Sequence, residues 1–249
     1  MNVTVPIPVG VVQTVVDAAA ITSGSRVLFQ CDENQLTIHL TSNARICSMY
    51  LVHTYDREIN IDTSLRVGVH VSALSTFSKI CSTPGVVTTT FNRSDAKVHF
   101  TKDNLKLHSR LIDPGEIPMR TIERSTILSG QIATSGSLLN AVITLADQLS
   151  ERVSLILHPE QPALIIKARG DSDRVEFHCD DNSVRDFTRL PPDSVTTELI
   201  AKYIVPLQAT IPDTATVVYE FDSGTALRVS YTLPHTETEV MFSVPPILK

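Results

Sequence analysis

Hydrophobic and polar positions along the chain follow two rhythms, one of period two and one of helical spacing, and the same order of rhythms occurs twice. Asn2 to Ile7 alternates as a strand does, and Val9 to Ile21 carries Val11, Val12, Val15, Val16 and Ala19 on one helical face. Its β-branched residues are indifferent helix formers, so packing has to hold that helix. Strands are predicted at Val27–Cys31, Leu36–Leu40, Ile46–Val52 and Arg66–Val71, joined by turns rich in Asp, Glu and Asn. Ser72 is placed to cap a short helix carrying Ala73, Leu74, Phe77, Ile80 and Cys81 and ending before Pro84. Val86–Phe91, Lys97–Thr101 and Leu105–Ile112 complete the half.

The second half repeats this order. Gln131–Thr134 predicts a strand, Ser135 a cap, and Leu138–Leu149 a helix with Leu138, Val142, Leu145, Ala146 and Leu149 on one stripe. Strands follow at Val153–His158, Leu164–Ala168, Arg174–Asp180 and Ser194–Thr197. A helix over Ile200–Ile211 is interrupted by Pro206, which removes a backbone hydrogen bond and should kink it. Thr216–Phe221, Leu227–Leu233 and Glu239–Val244 are the last strands. Gly10 and Gly136 lie as far apart as Arg26 and Arg152, so the halves share one spacing as well as one order. One period per half means duplicated domains; a solenoid needs three or more shorter repeats.

Between the halves lies Asp113–Gly130, whose prolines, glycines and alternating charge argue against a helix or a paired strand. Its Ile117, Met119 and Ile122 are too apolar for a solvated tether and call for a surface to lie on. The domains are therefore 1–112 and 131–249, with 113–130 as the connecting linker. Many strands and two helices per half make an α+β protein with large antiparallel sheets, and each sheet has edges to hide. Leu105–Ile112 and Arg174–Asp180 are the candidate edges for a partner subunit.

With 249 residues and 42% hydrophobic content, the chain can bury two cores. A net charge of −6 gives no global basic footprint, so any nucleic-acid binding must come from local placement. The acidic balance, with arginine favoured over lysine, fits a salt-rich cytoplasm as well as ordinary drift. Cys31, Cys47, Cys81 and Cys179 show neither C-x-x-C nor zinc spacing and read as reduced core residues of an intracellular protein. There is no leader segment and no apolar run of membrane-spanning length, so a soluble, cytoplasmic protein is expected.

Catalytic patterns are missing. Gly170-Asp171-Ser172 could be a hydrolase nucleophile motif, but it sits between two short strands, where Gly and Asp are ordinary turn residues. No phosphate loop, no His-Glu-x-x-His and no acidic cluster at metal spacing occurs, and the histidines are dispersed. Neither an enzyme nor a cofactor is expected.

Leu111-Ile-Asp-Pro114, Ala168-Arg-Gly-Asp-Ser-Asp173, Tyr203 with Ile211-Pro212, Thr216-Val-Val-Tyr-Glu-Phe221 and the ending Phe242-Ser-Val-Pro-Pro-Ile247 stand in the order and spacing of one family. Over essentially its full length the chain resembles the proliferating cell nuclear antigen (PCNA) family of DNA sliding clamps, closest to the archaeal type. The resemblance implies two DNA-clamp domains with sheets outside and helices inside, closed head to tail into a homotrimeric ring around duplex DNA. It also implies tethering of DNA polymerase, flap endonuclease and DNA ligase through short hydrophobic motifs, with loading by a clamp loader. On this mapping Leu107–Leu111, with Leu107, Ser109 and Leu111, pairs with Val175–Cys179, with Val175, Phe177 and Cys179, of the next subunit. The partner-peptide pocket would use Thr41, Arg45, Ile46, Ile117, Met119, Ile122, Ala226, Phe242, Val244 and Pro245. The helices facing DNA depart from the family: Val9–Ile21 and Leu138–Leu149 carry no base, and the other two offer only Lys79 and Lys202. That departure leaves a second reading, a divergent clamp subunit from a heterotrimer, virus or plasmid that recruits partners while engaging DNA weakly.

Overall fold

A computed structural model describes residues 2–42, 47–56, 59, 64–81, 83–117, 127–159, 164–171, 173–179 and 184–247. The chain divides into two units, Met1–Thr121 with His235–Val240, and Ile122–Pro234 with Met241–Lys249. Unit 1 runs β1 (Asn2–Pro8), α1 (Val9–Thr22), β2 (Arg26–Asp32), β3 (Gln35–Thr41), β4 (Ser48–Thr54), β5 (Leu65–His70), α2 (Val71–Ile80), β6 (Val86–Asn92), β7 (Lys97–Lys102) and β8 (Leu105–Ile112). Its strands pair antiparallel in the order β1-β6-β7-β8-β5-β2-β3-β4.

Unit 2 runs β9 (Gly130–Ser135), α3 (Gly136–Leu149), β10 (Arg152–Leu157), β11 (Leu164–Arg169), β12 (Arg174–Cys179), β13 (Val184–Arg189), β14 (Val195–Ile200), α4 (Ala201–Ala209), β15 (Thr216–Phe221), β16 (Leu227–Thr232) and β17 (Thr238–Val244). It holds a four-stranded sheet β12-β11-β10-β14 and the strands β13-β9-β15-β16. The first residues of β17 belong to unit 1, where Thr54 N–H donates to Glu237 O at 2.9 Å and His53 Nδ1 bonds Thr238 Oγ1 at 2.8 Å. Among the described residues no helix is long and apolar enough to cross a membrane.

Each unit sets two helices against its sheets. In unit 1, α1 buries Val11, Val12, Val15, Ala18 and Ala19, while Thr14 and Thr22 satisfy their hydroxyls on the carbonyls of Gly10 and Ala18. Val16 is half-exposed, one step off the expected face. α2 begins at Val71 behind His70, with no side-chain cap, so Ser72 is inside the helix rather than at its cap. Phe77 of α2 is buried with its ring 5.8 Å from that of Phe100 on β7, and burying such a ring is worth about 1.5–3 kcal/mol. In unit 2, Gln208 of α4 donates to the Tyr219 hydroxyl at 2.8 Å, and both residues are buried. Burial pushes the Tyr219 phenol above its usual range, so it stays a neutral hydrogen-bonding partner.

Three further sequence expectations change. The α3 stripe is rotated: Val142, Ile143 and Ala146 are buried while Leu145 is exposed, and the side chain of Leu138 lies outside the described residues. The strand expected at Ser194–Thr197 extends to Ile200 and α4 is correspondingly shorter, continuing through Pro206. β13 is an addition, since its polar Arg-Asp and Thr-Arg pairs mask the period; it is held by irregular pairing to β9 and by Arg189 Nη1 donating to Leu128 O at 2.9 Å.

The start of the linker is fixed by a close approach. Asp113 caps a 3₁₀ turn, Pro114–Glu116, by accepting from Gly115 N–H at 2.8 Å, and Ile117 then packs with Leu28 and Ile112 over Gly68. A Cβ on Gly68 would lie 2.5 Å from Ile117 Cδ1 and 2.9 Å from Ile112 Cβ. Gly68→Ala is therefore expected to cost about 1–3 kcal/mol by overpacking, read as a lower urea midpoint with an unchanged slope.

A second prediction concerns His53, whose pKa burial lowers from 6.5 against the opposing pull of Asp56 and Glu237. The fold thus favours neutral His53. Its contribution is complete above about pH 6.5 and fades as pH falls below that value. The melting-temperature difference between wild type and His53→Gln should shrink from pH 7.5 to pH 5; a constant difference would remove His53 as a source of acid sensitivity.

Candidate functional site

Backbone groups at a sheet edge are unsatisfied unless something covers them, so the edges show where another chain can attach. β1 is an edge that carries Pro6 and Pro8, which cannot donate to a partner. β13 is an edge broken by two register shifts. The outer edge of β14 is covered: Thr196 N–H donates to Ser223 Oγ, Gly224 N–H to Thr196 O, and Ile247 N–H of the C-terminal tail to Glu198 O at 2.8 Å. Among the described residues, β8 and β12 have no such cover. β8 pairs with β7 along its length but meets β5 only at Leu111 and Ile112, so Leu105 to Arg110 turn one edge toward no described strand. β12 pairs with β11 alone.

The sequence-expected interface residues all lie on these two strands. Leu107, Ser109 and Leu111 form the half-buried side of β8, and Lys106, His108 and Arg110 its exposed side. On β12, Val175 and Phe177 are half-buried, Cys179 is fully buried, and Arg174 and His178 are exposed. Cys179 can therefore contribute backbone but no side-chain surface. All four cysteines are buried thiols, and burial pushes that of Cys31 up to about 12.

The expected partner-binding residues divide by exposure. Arg45, Ile46, Met119 and Ile122 lie outside the described residues, as does Ser172 of the rejected hydrolase motif. Gly170 N–H donates to Asp173 O at 2.8 Å, between the end of β11 and the start of β12. Ile117 is 6% exposed and occupied in the unit 1 core, and Thr41 is buried. In unit 2, Phe242 and Val244 are buried, Phe242 stacking on Tyr231, whereas Ala226 and Pro245 are half-exposed.

Lys79, in the last turn of α2, and Lys202, on α4 beside the Tyr203 ring, are exposed. A stronger positive feature is invisible along the sequence. Arg152, Lys167, Arg169 and Arg174 surround a shallow cavity of about 340 Å³ in unit 2, together with Ser150, Ser154 and Glu198. The cluster arises because β-pairing sets Arg169 opposite Arg174 and Lys167 opposite Glu176. Glu176 takes Lys167 at 3.2 Å, Arg174 and His178 as partners, and the Lys167 hydrogen bond foremost holds its carboxyl below the usual range.

Two α+β units of repeated order, each with a helix pair on antiparallel strands and, among the described residues, one regular strand edge left open, define a clamp-like fold. Solved structures agree on the fold: A. fulgidus PCNA, determined with the C-terminal region of FEN-1 bound, superposes with a TM-score of 0.87 at 18% identity over 99% of both chains. PCNA of Thermococcus kodakaraensis gives 0.78 at 14% identity over 98% of this chain and 99% of its own. No protein-family profile matches the chain. Its sequence is nevertheless similar to the DNA polymerase sliding clamp of Natronomonas pharaonis, 23% identical over 233 residues that span 92% of this chain and 93% of that one. The Halobacterium salinarum clamp is 21% identical over 86% of each. The chain thus has the PCNA fold, and its sequence resemblance is to sliding clamps of halophilic archaea.

Because Phe242 is only 1% exposed and stacked on Tyr231, Phe242→Ala should cost about 3–5 kcal/mol of stability in denaturant titration. Ala226→Arg, at a half-exposed position, should change stability by less than about 0.5 kcal/mol. Equal losses in both variants would contradict this division of unit 2 into core and surface.

Proposed function

We propose that the chain is the subunit of a DNA sliding clamp, a ring of three copies that encircles duplex DNA and holds replication and repair enzymes to it without catalysing a reaction. The observation that carries this reading is that, among the described residues, each unit leaves one regular strand edge open with neither proline, register shift nor covering segment, β8 in the first and β12 in the second. Two different edges on one chain make a head-to-tail contact, and such contacts satisfy every edge only when the assembly closes. The names of the relatives support the reading, as does the neighbouring PCNA that carries a FEN-1 segment. Polymerase, flap endonuclease, ligase and a clamp loader are the proposed partners, with Ala226 and Pro245 as the surface residues a hydrophobic motif would meet.

A topological link needs little attraction to DNA. A closed ring stays on its duplex by linkage, and weak phosphate contacts let it slide. Lys79, Lys202 and the group around Arg152 and Arg169 supply that attraction. The absence of bases from α1 and α3 favours the second reading, a divergent clamp subunit of a heterotrimer, virus or plasmid that recruits partners but holds DNA weakly.

Light scattering across a dilution series, at low and high salt, decides between them. A species three times the 27.3 kDa of the chain is expected in both salts. A monomer that persists at every concentration and salt would overturn the self-sufficient ring, and a 1:1 co-purifying second clamp chain would establish the heteromeric one.

A further inference from the structure

Strand pairing in unit 2 lines up three arginines. The β10–β11 register, with Val153 opposite Ala168, brings Arg152 level with Arg169, and Arg169 stands directly opposite Arg174 on β12. All three are exposed, while Val153 and Ala168, their neighbours along the strands, are buried on the other face, where α3 packs against β10, β11 and β12. The row therefore lies on the face of the four-stranded sheet that points away from the helices. Lys167 occupies the next row, opposite Ser154 on one side and Glu176 on the other. These side chains rim the cavity of about 340 Å³.

Like charges set opposite one another on a sheet repel. Glu176 relieves one flank of the group, where it is shared by Lys167, Arg174 and His178. Among the described residues the side chains of Arg152 and Arg169 have no ion-pair partner, and Glu198, the other acid of the lining, reaches neither. In a chain with 27 acidic residues against 21 lysines and arginines, arginines held side by side without a carboxylate call for an anion from outside. The form of that anion follows from the layout. The cations run in a line, about 4.8 Å from strand to strand, rather than converging on one point. A compact anion needs convergent donors, whereas a row of guanidiniums gives each successive charge of a linear polyanion its own planar fork. The lining has no aromatic ring to stack a base and no large apolar side chain to anchor a peptide. Ser150 and Ser154 add hydroxyls of the kind that contact phosphate oxygens. The neighbouring cavity shares Arg152 but sets Asp147 and Glu151 beside Lys202, so the positive row ends at β10.

We propose that the row Arg152, Arg169 and Arg174, with Lys167, binds the phosphodiester backbone of a single-stranded nucleic acid, without regard to base sequence, on the sheet face of unit 2. The proposal deepens the clamp reading, on which the choice of nucleic acid rests. Lys79 and Lys202 lie on helices, and this row gives a strand that runs outside the helical face a seat of its own. A flexible single strand can settle its backbone into a shallow cavity, whereas a rigid duplex meets only the rim. Each guanidinium–phosphate contact releases counterions, so the binding weakens as salt rises.

The test is fluorescence anisotropy of a labelled oligothymidylate of about 12 nucleotides with the full chain, a linear probe short enough to report contact and not linkage. Between about 50 and 200 mM salt, three phosphate contacts give a slope of log affinity on log salt of about −2. Arg152→Gln and Arg169→Gln should each weaken binding at least about threefold and reduce that slope by about 0.7. Arg93→Gln removes the same charge from an exposed site in the β6–β7 turn and should change neither. Both row variants spare β12, so light scattering should show the wild-type assembly. No binding, or binding that both row variants leave intact, overturns the proposal. Equal displacement by inorganic phosphate at the same phosphate concentration reduces the row to a free-anion site and overturns the strand. Polyglutamate bound as tightly, through the same arginines, replaces the nucleic acid with an acidic peptide, and a duplex bound as tightly overturns the preference for a single strand. A monomer that binds the oligonucleotide through the row overturns the clamp reading alone, and a trimer that ignores it overturns this proposal alone.

Discussion

Uncovered backbone is the constraint on which the arrangement depends. A strand edge exposes a row of N–H and C=O groups that invites indiscriminate pairing, and soluble proteins cap, bend or cover their edges. This chain does so at β1 with proline, at β13 with irregular pairing and at β14 with the 223–224 turn and the tail through Ile247. β8 and β12 are regular strands left open among the described residues. Leaving an edge open while protecting others of the same molecule makes sense if a specific strand fills it. Alternation on both strands, apolar on one side and charged on the other, then gives the filling strand a register, because a slip of one residue would put every side chain on the wrong face.

Duplication explains how one chain acquires two different open edges. Both units follow the same order of strand, helix and strands, and α1 and α3 have 14 residues each. What differs is what each unit does with its edges: the first leaves its last strand open, the second its fourth. Copies of a single domain with identical edges would offer self-complementary contacts, which stop at a pair. Divergence between the halves makes the proposed contact heterologous, and a heterologous contact needs rotation to close.

Much of this was legible in the sequence because it rests on local spacing. The duplication, the two helices per unit, both open strands and the turn at Gly170 follow from periods of two and of helical spacing and from turn residues. Features created by pairing between distant segments were not legible. Leu145 and Ile143 are equally apolar, and only the sheet beneath α3 decides that Ile143 is inside. Ile117 reads as an apolar linker residue, yet Gly68, far away in sequence, leaves the space that makes it a core residue. Read along the chain the histidines are scattered, and it takes the β7–β8 register to set His99 against His108. The basic group of Arg152, Lys167, Arg169 and Arg174 emerges in the same way, from two hairpins and no helix.

That last point bears on how an acidic chain could travel along an acidic polymer. With a net charge of −6 per chain and no base on α1 or α3, long-range attraction to DNA is weak or reversed, and in concentrated salt the Debye length falls to about 3 Å, so long-range terms vanish for either sign. Contacts that act only at short range then decide both residence and assembly. For residence, a closed ring substitutes linkage for attraction. In the proposed ring, assembly would rest on backbone hydrogen bonds between β8 and β12 and on apolar contact along one face of the joint, interactions that salt does not screen. A molecule that relies on closure needs its junctions to be strong where charge is useless, and the residues on its two open edges are of the types that meet that need.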